Sequence, residues 1–144
     1  YIEKIRTRFL AYQIPLALGV TASSVTMMEK LARKHKQLND NINRFLPIQP
    51  DEIKRKNDQL RSRLVEVVSE ETLNWDSLLD IRLKSVYLTL EAVQASMLHN
   101  GGRGYVKSSV AERKLREAYF LVNLTPTIKH LEVLRNKQEV LISE

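Results

Sequence analysis

Residues 79–102, LDIRLKSVYLTLEAVQASMLHNGG, decide the fold. Leu79, Leu83, Val86, Leu90, Val93 and Met97 step by 4, 3, 4, 3, 4, the spacing that returns side chains to one side of an α-helix. The apolar seam is narrow, as expected where helices pack in a bundle. It stops at Asn100-Gly101-Gly102, where Gly can take the left-handed conformation that closes a helix.

Working outward, the same periodicity recurs on both sides. A first helix is expected from about Ile2 to Gln37, kinked or divided at Pro15. Residues 39–50, NDNINRFLPIQP, read as a connection. Pro50 suits the first turn of a second helix, with Asp51 and Glu52 at its positive pole. Its apolar face is Ile53, Leu60, Leu64, Val67 and Val68. Ser109-Val110-Ala111-Glu112 fits a capping box opening a fourth helix to about Val122. Thr125-Pro126 fits a restart, with Thr as cap and Pro at the first helical position. Ile128, Leu131, Leu134 and Leu141 then form the apolar face of a last helix. No stretch reads as a strand. The expected fold is all-α: an up-down four-helix bundle with an additional C-terminal helix, one domain over residues 1–144.

Composition agrees. Zero Cys among 144 residues excludes disulfides, thiolate metal sites and Cys nucleophiles. Four Gly and four Pro supply too few turns for a β-sandwich. The charge of +6 is compatible with anionic partners without requiring them. Phe9 to Met28 contains no charged side chain, close to the length a membrane span needs. Gln13, Thr21, Ser23, Ser24 and Thr26 within it favour a buried bundle helix over a span. A cytoplasmic protein is the expectation.

Most candidate chemistry is weak. His35, His99 and His130 fall in three separate elements without ligand spacing, so no metal site is expected. Glu66, Glu70 and Glu71 lack the His partner of a di-iron bundle and read as a solvated face. Lys30, Arg33, Lys34 and Lys36 suit a helix C-terminus. Residues 51–71 mix six acids with five bases, which dilutes any phosphate-tracking field, so no nucleic-acid partner is expected. The run Gly101-Gly102-Arg103-Gly104-Tyr105 is the most distinctive feature. Its backbone and Arg103 could approach a phosphate. By local chemistry alone, a helix cap and tight turn is the simpler reading.

The order of these features resembles the C-terminal helical domain of acyl-CoA dehydrogenases. Residues 91–127, EAVQASMLHNGGRGYVKSSVAERKLREAYFLVNLTPT, supply the family's helix ending in Gly-Gly-x-Gly-Tyr. After a spacer come Glu112-Arg113-Lys114-Leu115-Arg116, then Thr125. The Ala/Gly-rich helix LALGVTASSVTMMEKLARKHKQL also looks like the family's first bundle helix. The resemblance implies a bundle forming one wall of an FAD and acyl-CoA thioester site, assembled as a homo-oligomer. It implies cofactor contact by Gly101, Gly102, Arg103 and Thr125, with His35 a fifth candidate. It also implies that this chain is part of a longer protein, because the family's other two domains are missing from these 144 residues.

Departures accompany the matches. Asn123 stands where many members carry the carboxylate that removes the substrate's α-proton, and an amide cannot do so. No catalytic residue is therefore assigned. Glu29 is the only acid between Glu3 and Asp40, with no clear family counterpart. His35-Lys36-Gln37-Leu38-Asn39 replaces an Arg-x-x-Phe-Gly element, removing a guanidinium suited to pyrophosphate. Valine at Gly102 is expected both to strain the turn and to block approach. Two further readings stay open: a catalytically silent bundle for oligomerisation or partner binding, and an unrelated basic adaptor or nucleic-acid module.

Overall fold

Five helices order the chain in a computed structural model that describes residues 2–38 and 41–143, with side chains over 5–38 and 41–137. They are α1 (Ile2–Gln37), α2 (Pro50–Val68), α3 (Trp75–Asn100), α4 (Val110–Asn123) and α5 (Ile128–Ser143). Single 3-10 turns form at Ile42–Phe45 and Gly101–Arg103. No strand occurs among the described residues, so the all-α class holds. Asn39 and Asp40, and the side chains of Glu3 and Leu141, lie outside the described residues.

Local chemistry sets the helix ends. Pro50 occupies the first turn of α2, followed by Asp51 and Glu52. Ser109 Oγ accepts from the Glu112 amide at 3.1 Å and starts α4. Glu112 does not close the expected box; its carboxylate pairs with Arg116 at 3.2 Å. Asn74 Oδ1 caps α3 from the Ser77 amide at 2.9 Å, a start signal the hydrophobic pattern does not contain. α1 continues through Pro15 without division.

The start of α5 differs from expectation. Thr127, not Thr125, precedes the helix: its hydroxyl accepts from the His130 amide at 3.4 Å and its carbonyl from the Leu131 amide at 2.9 Å. A capping residue must offer its own carbonyl to the first helical turn. The Thr125 carbonyl accepts instead from Gln13 Nε2 at 2.7 Å.

Side-chain pairs fix the helix directions. Gln13 meets Arg82, Thr21 meets Thr89, and Met27 meets Ser96 and Asn100, so α1 and α3 run parallel. Lys56 pairs with Glu91 and Arg63 with Asp80, so α2 runs antiparallel to α3. The α4 carbonyl of Leu121 reaches back to Arg82, so α4 is antiparallel as well. α2 and α4 each touch both α1 and α3, and α5 leans on α3. Tyr87 Oη donates to Glu132 across that last contact at 2.8 Å.

α3 is buried more widely than a seam. Leu79, Leu83, Val86 and Val93 are buried as expected, but so are Leu78, Ile81, Ala92 and Ala95, whereas Leu90 and Met97 are only half-buried. A helix touched by all four others has little surface left for solvent. On α2, Val68 is exposed, and the buried register runs through Ile53, Asn57, Leu64 and Val67. Asn57 holds its place by donating to the Leu18 carbonyl at 3.2 Å.

Candidate functional site

Two separate regions contain the residues that sequence reading selects. The first is the turn after α3. Gly101 has φ +58° and ψ −142°, a positive-φ conformation essentially reserved for Gly, though outside the left-handed helical region. Its amide donates to the Met97 and Leu98 carbonyls, so it is committed to closing α3. A Cβ on Gly102 would meet nothing within 4 Å. The expected strain from a side chain there is therefore absent. Gly104 is the sterically demanding position, because a Cβ would lie 3.1 Å from Asn100 Cβ and 3.3 Å from two carbonyl oxygens.

Beyond this turn, Ser109 Oγ donates to the Gly104 carbonyl at 2.8 Å while capping α4. One hydroxyl thus ties the glycine turn to the following helix. Gly102 and Arg103 are both exposed, and Arg103 makes no ion pair among the described residues. His35 lies in the last turn of α1, at the same end of the bundle, half-buried with Nδ1 lacking a partner.

Thr125 belongs to the opposite end. α4 separates it from the glycine turn by 14 residues, about 21 Å of helix. No hydrogen bond joins His35, the glycine turn and Thr125 to one another. A compact ligand cannot touch both ends; one extended ligand along α4 can.

Around Thr125 a cleft of about 910 Å³ opens between the start of α1, the α2–α3 connection, the α4–α5 corner and α5. Arg6 and Arg8 give it positive charge and His130 adds an imidazole, while Phe9, Trp75 and Leu134 give it apolar walls. Glu71, which reads from sequence as part of a solvated face, is the carboxylate that lines it. Glu29 instead faces a shallow groove along α2, with Asp51 and Arg55. Asn123 Nδ2 donates to the Tyr119 carbonyl of its own helix at 2.9 Å.

Behind Thr125, buried polar side chains are set into the apolar core. Arg82 is 0% exposed. Its Nε donates to Gln13 Oε1 at 3.1 Å and its Nη2 to the Leu121 carbonyl at 2.9 Å, while Nη1 has no partner. Burial pushes the guanidinium down to about 10, so it remains a cation at neutral pH. Sequence reading missed this residue because a lone Arg between apolar neighbours resembles an exposed position of an amphipathic helix. The only hint was its place, three residues after Leu79 and one before Leu83.

The third histidine serves the fold. His99 is buried, with Nε2 2.9 Å from the Ile48 carbonyl and its own carbonyl accepting from Asn43. No cluster of potential metal ligands forms among the described residues. α1, over Ile5–Gln37, is long and apolar enough by length and composition to cross a membrane, although its inner face packs on α3. No family model, curated protein or solved structure matches the chain.

Proposed function

We propose that this chain is the C-terminal helical domain of a flavin-dependent, acyl-CoA dehydrogenase-like oxidoreductase, forming part of an FAD and acyl-thioester site and of an oligomer interface. The glycine turn carries the reading. Gly101 in a Gly-only conformation exposes Gly102 and Arg103 at the end of the most buried helix, with open space above Gly102. An anionic group fits there, held by backbone and by the Arg103 guanidinium. Thr125 and the cationic, apolar cleft at the far end of α4 suit the other end of an extended dinucleotide.

The flavin, when bound, supplies the hydride acceptor for dehydrogenation of the thioester. Asn123 contributes no base, since its amide is bonded to Tyr119 and has no proton-accepting carboxylate. Titrating FAD into the full-length protein that contains this domain, and following flavin fluorescence, tests the proposal. Saturable quenching that weakens at least tenfold in Arg103→Glu and in Gly102→Val supports it. Because Gly102 has room for a side chain, a loss there reports blocked approach rather than a damaged fold. Absence of any saturable change overturns the flavin reading.

One observation favours a second reading, a bundle that acts through assembly alone. Ile5, Phe9, Tyr12 and Leu16 step by 4, 3, 4 along α1, and each is at least half exposed. Such a continuous apolar stripe suits contact with another protein surface.

A further inference from the structure

Arg82 lies in the core at 0% exposure, with no carboxylate partner among the described residues. An isolated buried cation is costly, so what compensates it matters. Two dipoles do. The Leu121 carbonyl is in the last turn of α4, where carbonyls lack helical N–H partners and the negative pole of the helix lies. The other is the Gln13 side-chain carbonyl.

Gln13 is 3% exposed, and its amide can face only one way. Its oxygen must meet the guanidinium donor, which leaves its NH2 to donate to the Thr125 carbonyl at 2.7 Å. A flipped amide would set donor against donor and acceptor against acceptor.

We infer that Arg82 is a positioning residue: through the one-way hydrogen bonds of Gln13 it holds the Thr125 carbonyl, and so fixes the α4–α5 corner that walls the cleft. The same contact explains why Thr125 does not cap α5, since its carbonyl is held by α1. The inference rests on the flavin reading only for the identity of the ligand at Thr125.

Gln13→Glu separates this role from ordinary core packing. A carboxylate pairs with Arg82 at least as well as the amide does, but it has no N–H for the Thr125 carbonyl. In the full chain, amide hydrogen exchange across residues 124–131 is expected to accelerate about tenfold, while the urea midpoint does not fall. Arg82→Lys keeps the charge but loses the fork, and is expected to loosen the same corner. In the wild type, the Arg82 Nε–H should give a resolved, exchange-protected NMR signal. Unchanged corner exchange in Gln13→Glu overturns the inference. So does acceleration matched by an equal loss of global stability, or an unprotected Arg82 Nε–H. FAD titration of the same variants in the full-length protein keeps the two questions apart: protected corner exchange without flavin affinity removes the flavin reading and leaves the positioning role intact.

Discussion

Gly101 and Gly102 adjoin in the chain but differ in what they require. Gly101 sits at φ +58° and ψ −142°, where a Cβ collides with its own backbone. Gly102 has an ordinary φ and empty space around it. Gly104 has an ordinary φ but crowded surroundings. Gly101→Ala and Gly104→Ala are therefore expected to destabilise the bundle by about 1–2 kcal/mol, and Gly102→Ala by less than about 0.5 kcal/mol. Urea denaturation of the three variants measures this order; equal effects would show that the turn is not held as described. At this scale the sequence pointed to the right segment, since three of its four Gly cluster there. It did not rank them, because rank depends on one dihedral and on where Asn100 and Met97 place their atoms.

At the scale of helices, polar side chains recur every seven residues on α3. Arg82, Thr89 and Ser96 face α1, where they meet Gln13, Thr21 and Met27. The Thr89 hydroxyl lies 2.9 Å from Thr21 Oγ1 and 3.0 Å from the Ala17 carbonyl. Apolar contacts alone tolerate sliding by a turn, whereas these pairs match in one register only.

The α2–α3 contact adds a pH-dependent element. Burial raises Asp80, but hydrogen bonds and charge from Lys84 and Arg63 outweigh it and leave the carboxyl below its usual value. A carboxyl depressed in the folded state stabilises above its unfolded value and loses that contribution as pH falls through the folded one. Asp80→Asn is thus expected to cost no more than about 1 kcal/mol near neutrality, because the ion pair is partly exposed. The gap from wild type should close below about pH 4. Thermal denaturation from neutral to acidic pH measures it, and a gap that persists at pH 2 would mean the charge is not responsible.

For the whole molecule, the distribution of apolar surface bears on assembly. α1 buries Leu10, Ile14, Ala17, Leu18, Val25 and Met28 on its inner side, yet presents Phe9 at 52% and Tyr12 at 77% exposure on its outer side. The double variant Phe9→Asp/Tyr12→Asp should keep wild-type helicity by circular dichroism and shift any oligomer toward monomer in light scattering. A wild-type chain that stays monomeric at tens of micromolar, an ordinary range for weak association, would remove this face as a self-association surface.

The sequence by itself determined the class, the helix count and most of the ends, because periodicity, Pro50, Ser109 and Gly101 act over a few residues. It also located the glycine turn and the resemblance on which the flavin proposal draws. Only tertiary structure decided that α3 would be enclosed on nearly all sides, that Val68 would face out while Asn57 faced in, and that Thr127 would replace Thr125 as the cap. It alone joined Arg82 to Gln13, 69 residues away in the chain, and Gln13 to Thr125, 112 residues away. The physical reason is common to these cases. A local pattern records which side chains are apolar, whereas a buried polar group is stable only beside partners that folding brings from elsewhere.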